Sequence, residues 1–172
     1  MEFASNGGRK VALATPTPGP NDAQADGYIQ RGNIYLSKKD YDNAISCFNK
    51  AVSLKPNYGS DWYARAYNDR GNAYAGKKDY EDAISNYTWA INLSGPSFAW
   101  AYVNRGAVHF KKRDYDKAIN DYNVALESDP NFGPALYNRA LAYKAQGKIT
   151  EAQVDFNKAK QQGYTGPLYG QQ

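Results

Sequence analysis

The chain has 172 residues, of which 42% are hydrophobic and 15% aromatic, and its formal net charge is +4. This aromatic content excludes a mostly disordered chain, because disordered segments lack large core-forming side chains. One cysteine (Cys47) and one histidine (His109) exclude a disulfide framework and a metal site rich in either residue. We therefore expect no metal and no cofactor.

Membrane and nucleic-acid partners are not expected either. No apolar run approaches the roughly 18 residues that a membrane-spanning helix needs. The positive charge is small for a chain of this length, and no basic groove interleaved with aromatic residues accompanies it. The sequence therefore predicts no membrane span and no nucleic-acid partner.

Residues 1–24 differ in composition from the rest of the chain. Turn formers are concentrated there, together with Pro16, Pro18 and Pro20. Proline lacks the backbone N–H that a helix interior needs and favours an extended backbone. We therefore predict an N-terminal arm over residues 1–24, and a short C-terminal tail over residues 167–172.

An arginine followed by a small residue recurs four times after the arm. The four pairs are Arg31-Gly32, Arg70-Gly71, Arg105-Gly106 and Arg139-Ala140. In one register, each pair is followed by an aromatic ring, an alanine, a second ring and a second alanine. In the third unit these are His109, Ala118, Tyr122 and Ala125. Small residues let helices approach while large rings fill the space between them, so the repeat predicts pairs of packed helices.

This pattern resembles the tetratricopeptide repeat, a helix–turn–helix unit of about 34 residues. The resemblance covers residues 25–166 and implies an all-α fold, a right-handed α-solenoid of four repeats and eight helices. The units are predicted at residues 25–58, 64–97, 99–132 and 133–166. The Arg-Gly-Asn-x-Tyr and Asp-Tyr-x-x-Ala-Ile segments are similar to those of bacterial members, and both the cytoplasm and the bacterial periplasm stay open as compartments.

Local signals predict where the helices begin and end. Asp40, Asp79 and Asp114 precede the second helices of the first three units, where an aspartate can accept hydrogen bonds from the first turn. Five extra residues, 59–63, precede the second unit and predict a longer first helix there, with Ser60 as its cap. The fourth unit has no such aspartate and is not followed by the extra polar helix usual in the family. We therefore expect an uncapped C-terminal end.

The repeated arginine admits two interpretations. A column of four arginines could bind phosphate groups, or each arginine could pair with the second helix of its own repeat. Asp121 and Asp155 lie in a register that can face Arg105 and Arg139. We predict ion pairs within the repeats, with the arginine stems packed on aromatic rings.

The resemblance also implies a ligand site, since the first helices of such repeats line a concave groove. An asparagine amide can donate to and accept from the backbone of an extended peptide, while apolar neighbours hold its side chains. The candidate peptide-binding residues are Ile29, Asn33, Leu36, Trp62, Arg65, Asn68, Asp69, Asn72, Trp100, Val103, Asn104, Phe110, Tyr137, Asn138, Leu141 and Lys144.

One ligand class of the family is not expected here. Members that bind chaperone C-terminal tails hold the terminal carboxylate with a set of lysine, asparagine and arginine residues. The equivalent positions of this chain are Ile29, Asn33, Asp69, Trp100 and Asn104. Only Asn33 matches, and the carboxylate of Asp69 would repel a terminal carboxylate.

The predicted function is a non-enzymatic scaffold that binds an extended peptide or partner segment in the groove. His109 takes a ring position in the packing pattern, and Cys47 has no basic partner, so we expect no catalytic residues. The alternative function is a self-assembling structural module that uses the uncapped C-terminal repeat and the N-terminal arm. A homo-oligomer therefore stays open beside the protein or peptide partner.

Overall fold

The computed structural model describes residues 19–56 and 58–166. Within these ranges the chain forms eight α-helices, one short 3₁₀ helix and no strands. The α-helices are α1 (Pro20–Ser37), α2 (Tyr41–Ser53), α3 (Ser60–Lys77), α4 (Tyr80–Ser94), α5 (Ala99–Lys111), α6 (Tyr115–Ser128), α7 (Gly133–Ala145) and α8 (Ile149–Gln161). The predicted all-α solenoid of four helical pairs is confirmed.

Each repeat reverses direction at the same point. The residue before the cap of the second helix has a positive φ: 59° at Lys39, 69° at Lys78, 65° at Arg113 and 79° at Gly147. The following backbone N–H donates to a carbonyl five residues back, as Asp40 N does to Tyr35 O at 2.9 Å. This left-handed C-terminal turn satisfies carbonyls at the end of the first helix.

The three predicted aspartates occupy the cap positions, but only one of them accepts a capping hydrogen bond. Asp40, Asp79 and Asp114 are the N-cap residues of α2, α4 and α6. The carboxylate of Asp40 accepts from Asn43 N at 3.4 Å, whereas those of Asp79 and Asp114 accept no capping hydrogen bond. The three helices therefore begin where the sequence predicts without sharing one capping geometry.

Two first helices are longer than the others, and only one of them was predicted. Helix α3 begins at Ser60, as the five extra residues imply, although Gly59 and not Ser60 occupies the cap position. Helix α1 begins at Pro20, so residues 20–24 of the predicted arm are helical. Proline is favourable in the first helical turn because the N–H it lacks would have no partner there. Residues 1–18 of the arm and the tail over residues 167–172 lie outside the described residues.

The helices pack in chain order. Within a repeat the two helices pack on each other, each second helix packs on the first helix of the next repeat, and neighbouring first helices also touch. In the first three repeats a glycine faces a buried ring: a Cβ built on Gly106 would lie 2.7 Å from Tyr122 Cε1. The registered small residues therefore permit the close helix contact that the sequence predicts.

Candidate functional site

A pocket of about 570 Å³ opens on the face formed by α1, α3 and α5. The first helices of three successive repeats supply most of its wall, because they touch one another across the stack. Its lining residues are Asn33, Leu36, Ser37, Lys39, Tyr41, Asp69, Asn72, Ala75, Gly76, Tyr87, Asn104, Ala107, Val108 and Lys111. This volume lies in the range of roughly 300–1,000 Å³ that ligand pockets occupy.

Three charged side chains line the pocket: the carboxylate of Asp69 and the ammonium groups of Lys39 and Lys111. Burial raises the pKa of Asp69 above its usual value, although hydrogen bonds from Asn68 and Asn33 and the charge of Arg65 act in the opposite direction. Within residues 19–56 and 58–166 this carboxylate forms no salt bridge, and the charge of Arg65 only partly offsets its lost solvation. Such a group costs folding free energy and is typical of binding sites.

Amide groups surround this carboxylate. Asn104 Nδ2 donates to Asn68 Oδ1 at 3.0 Å, and Asn68 Nδ2 donates to Asp69 Oδ1 at 3.2 Å. Tyr87 Oη donates to Asn72 Oδ1 at 2.9 Å. Within the described part of the chain, the Nδ2 group of Asn72 makes no hydrogen bond, so it remains available to a ligand in the pocket.

The pocket brings together only part of the predicted set of peptide-binding residues. The predicted residues that line it are Asn33, Leu36, Asp69, Asn72 and Asn104. The predicted residues outside its lining are Ile29, Trp62, Arg65, Asn68, Trp100, Val103, Phe110, Tyr137, Asn138, Leu141 and Lys144.

Two of the outlying residues are buried, and their predicted place in the groove lining needs correction. Val103 is 3% exposed and packs in the largest hydrophobic cluster, with Leu136 and Tyr122. Asn68 is 7% exposed and serves as a link between Asn104 and Asp69. Both lie beneath the surface that a ligand would touch.

Several aromatic residues of the predicted set are engaged in contacts between helices. Trp62 Nε1 donates to Asp26 Oδ1 at 2.9 Å, which ties α3 to α1. The ring of Trp100 packs edge-on against Phe132, with 4.9 Å between centroids. Tyr137 packs in the same way against Phe156 at 5.3 Å. These rings contribute to packing between neighbouring helices.

The predicted set of binding residues does not include those that second helices and turns add to the pocket. Lys39 and Tyr41 come from the turn between α1 and α2 and the start of α2, and Tyr87 comes from α4. The available signal was Gly71, whose missing side chain leaves room for the Tyr87 ring. That ring crosses the first helix and brings its hydroxyl group to Asn72.

Two of the four repeated arginines form the predicted ion pairs, and a third, Arg70, donates from Nε to Asn86 Oδ1 at 2.7 Å. Arg105 donates from Nε and Nη2 to the two carboxylate oxygens of Asp121, at 3.0 and 2.7 Å. Arg139 binds Asp155 in the same two-pronged way, at 2.7 and 2.8 Å. The donors of these two arginines are therefore directed into the repeat and not toward a phosphate.

The single cysteine and histidine lie in the helix packing. Cys47 is buried. Burial lowers the pKa of His109 below its usual value, and the nearby Asp121 only partly offsets this. Among residues 19–56 and 58–166, no group of three metal-ligating side chains could hold a metal ion. The same residues contain no helix long and apolar enough to cross a bilayer.

Stacked helical pairs with a groove on the face of their first helices define a helical-repeat protein-interaction module. Three models of the tetratricopeptide repeat family match the chain, over residues 23–94, 99–132 and 122–154. The chain belongs to the tetratricopeptide repeat family. Proteins of this family are generally non-catalytic modules that bind other proteins.

Solved structures agree with this assignment. The crystal structure of MamA matches with a TM-score of 0.71 and 28% identity, over 84% of this chain and 80% of that chain. The first TPR of Spaghetti (RPAP3), bound to the HSP90 peptide SRMEEVD, matches with a TM-score of 0.64 and 28% identity, over 73% and 94%. YrrB, described as a TPR protein with an unusual peptide-binding site, shares the fold at 22% identity and a TM-score of 0.65, over 80% and 68%. A comparison with curated proteins finds no match.

Proposed function

We propose that the chain is a non-enzymatic scaffold that binds an extended peptide segment of a partner protein in the pocket on α1, α3 and α5. The observation that carries this proposal is the placement of Asp69 beneath a pocket wall rich in amide groups. An extended peptide leaves its backbone N–H and C=O groups unpaired, and the amides of Asn33, Asn72 and Asn104 can bind both kinds of group.

The carboxylate of Asp69 influences which peptides fit, alongside Lys39 and Lys111 of the same lining. It favours a ligand that directs N–H donors or a basic side chain into the pocket, and it disfavours one that places a carboxylate there. The Spaghetti (RPAP3) structure contains a peptide with an acidic end. This chain has Ile29, Asp69 and Trp100 where tail-binding members of the family have lysine or asparagine. We therefore propose that an acidic C-terminal tail is not its ligand.

The self-assembling alternative has less support from the described residues. Val154 on α8 is exposed, as that alternative requires, but Phe156 is half-buried and Ala159 is fully buried. Tyr164 packs on Tyr137 and covers part of the last repeat. Ile149 and Val154, each 60% exposed, are therefore the apolar side chains of α8 that self-association would use.

The proposal is tested by selecting ligands from a library of random peptides displayed on phage. Isothermal titration then compares the wild type with the double variant Asn72→Ala/Asn104→Ala. We expect the variant to lose roughly 0.5–1.5 kcal/mol for each missing hydrogen bond. The matched control is Asn120→Ala, which removes an exposed amide from the outer side of α6. Equal affinity for the double variant and the control would refute the pocket as the binding site.

A further inference from the structure

The three junctions between successive repeats share one polar contact. The side chain at the end of each first helix, or just after it, donates to an acidic residue at the start of the preceding second helix. The distances are 2.7 Å for Lys77 Nζ to Asp42 Oδ1, 2.6 Å for Lys112 Nζ to Glu81 Oε1 and 2.7 Å for Gln146 Nε2 to Asp116 Oδ1. The same surface of each repeat therefore recognises a carboxylate on the repeat before it.

The junctions share two further contacts in the same register. Each repeat arginine donates from Nη1 to the preceding second helix: Arg70 to Asn49 at 2.8 Å, Arg105 to Thr88 at 3.0 Å and Arg139 to Asn123 at 2.8 Å. One turn further along the first helix, Ala73, Val108 and Ala142 are buried in clusters with apolar residues of the preceding second helix. Each junction thus combines three contacts: an ion pair or hydrogen bond to an acidic residue, a hydrogen bond from the repeat arginine, and an apolar contact.

The first repeat presents the same receiving surface with nothing from the described chain against it. We call this surface the N-terminal face and define it by Arg31, Ile34 and Lys38, which occupy the three registers just described. Ile34 is 54% exposed, whereas Ala73, Val108 and Ala142, at the same position of the other three repeats, are buried. Within the described chain, the guanidinium of Arg31 contacts only the ring of Tyr28, at 5.5 Å, and Lys38 is exposed without an ion pair.

The three inner junctions show which chemistry covers such a face. The preceding second helix presents an acid, an isoleucine, an asparagine or threonine, and an aliphatic residue, at successive intervals of three, four and three residues. The sets are Asp42, Ile45, Asn49 and Val52; Glu81, Ile84, Thr88 and Ile91; and Asp116, Ile119, Asn123 and Leu126. These intervals place all four side chains on one face of a helix.

We propose that the N-terminal face is a docking site for an acidic amphipathic α-helix of a partner protein that carries this pattern. The acid pairs with Lys38, the amide or hydroxyl group accepts from Arg31, and the aliphatic residues cover Ile34. The site is separate from the pocket and does not depend on the function proposed for it. Charge complementarity and three repetitions of the contact within one molecule support this occupant.

The chain's own segments fit the face less well than a partner helix. In α8 the four pattern positions are Thr150, Gln153, Asn157 and Lys160, so a second copy stacked end to end would bring no acid and no aliphatic residue. The amide oxygen of Asn157 already accepts from Gln153 at 2.9 Å. In residues 1–18 the single acid, Glu2, is followed at the same intervals by residues 5, 9 and 12, which are serine, arginine and alanine.

The test uses a fluorescein-labelled, hydrocarbon-stapled peptide of residues 80–94, which carries Glu81, Ile84, Thr88 and Ile91, titrated into the full chain by fluorescence anisotropy. We expect saturable binding that Ile34→Asp weakens at least tenfold. The matched control is Val154→Asp, which alters a residue of similar exposure (60%) at the other end of the stack and should leave affinity unchanged.

A charge exchange identifies the ion pair. Lys38→Glu should weaken binding about fivefold, and a peptide with Glu81→Lys should restore it, whereas Lys160→Glu should change nothing. Circular dichroism melting verifies that each variant is folded. The proposal is overturned if the peptide does not bind, or if binding is insensitive to Ile34→Asp. It is also overturned if sedimentation shows a dimer that both Ile34→Asp and Val154→Asp disrupt, or if the peptide binds only after removal of residues 1–18.

Discussion

Replacing Gly106 by alanine should destabilise the protein, although alanine is the better helix former. Gly106 lies in the interior of α5, where alanine gains about 1 kcal/mol over glycine from helix propensity alone. The new Cβ, however, would lie 2.7 Å from Tyr122 Cε1. Ordinary carbon–carbon contacts are about 3.5–4.0 Å, so the ring must move by about 1 Å. Tyr122 is 1% exposed and packs with Ile119 and Leu126, which leaves it no space to move into.

The packing penalty can be isolated by a second glycine in a helix interior. Gly27 lies within α1, and a Cβ there would meet nothing within 4 Å. Gly27→Ala should therefore gain the full helix propensity, about 1 kcal/mol. Because both variants share that gain, the difference between their free energies of unfolding measures the overpacking cost, which we expect to be about 1–3 kcal/mol. Gly106→Leu should cost more than Gly106→Ala.

Urea unfolding followed by circular dichroism gives both free energies, provided that the slope with urea concentration is unchanged. The fourth repeat indicates how the clash is relieved, since Ala140 takes the glycine position there and its ring partner, Phe156, is partly exposed. Gly106→Ala should accordingly be tolerated better in a Tyr122→Leu background. Variants of Gly27 and Gly106 that agree within about 0.5 kcal/mol would show that the ring contact does not limit packing.

Three further predictions concern carboxylates that are partly or fully buried. Because the pKa of Asp69 is raised in the folded state, Asp69→Asn should be more stable than the wild type at pH 7, and this advantage should disappear as pH falls below the usual pKa of 3.8. Urea midpoints at pH 7 and about pH 3 measure the advantage, and a variant that is less stable at pH 7 would contradict the prediction. Asp121→Asn should lower the unfolding free energy from thermal melting by about 1–2 kcal/mol, and Asp121→Ala should lower it by more than 3 kcal/mol. An asparagine can still accept from the arginine, as Asn86 in the same register accepts from Arg70 at 2.7 Å, so equal losses would refute this reasoning. Asp26→Ala should lower the unfolding free energy from urea titration by about 1–3 kcal/mol, since Asp26 accepts from both Trp62 Nε1 at 2.9 Å and Tyr58 Oη at 2.6 Å. In a Trp62→Phe background its effect should be smaller but not zero, and an unchanged effect would contradict the role of the Trp62 bond.

The fold was predictable because helix packing depends on residue size at fixed intervals. Gly106 and Tyr122 are sixteen residues apart, and the same spacing joins Gly71 to Tyr87, where the structure finds the same close contact. The pairing of Arg105 with Asp121 follows the same register and was predictable for the same reason. Contacts within a repeat are thus accessible to sequence analysis.

The site was harder to predict because its lining depends on contacts between repeats. Val103 has a groove register, yet residues of the fourth repeat bury it. Trp62 bonds to Asp26 on α1, a contact that depends on how residues 58–63 position α3. The early start of α1 was missed for a different reason, since Pro20 counts against a helix by composition but is favourable in a first turn.

The shared register of the three junctions also bears on how such an array can lengthen during evolution. The middle repeats carry complementary surfaces on both sides. In the third repeat, Arg105 donates to Thr88 of the second repeat, and Asn123 accepts from Arg139 of the fourth repeat. Duplication of residues 99–132 would therefore create a new junction that is already complementary. Duplication of residues 133–166 would instead oppose Gln153 and Lys160 to a surface that receives aliphatic side chains. Gene duplication can thus extend this array through residues 99–132, whereas a second copy of residues 133–166 would lack a complementary junction.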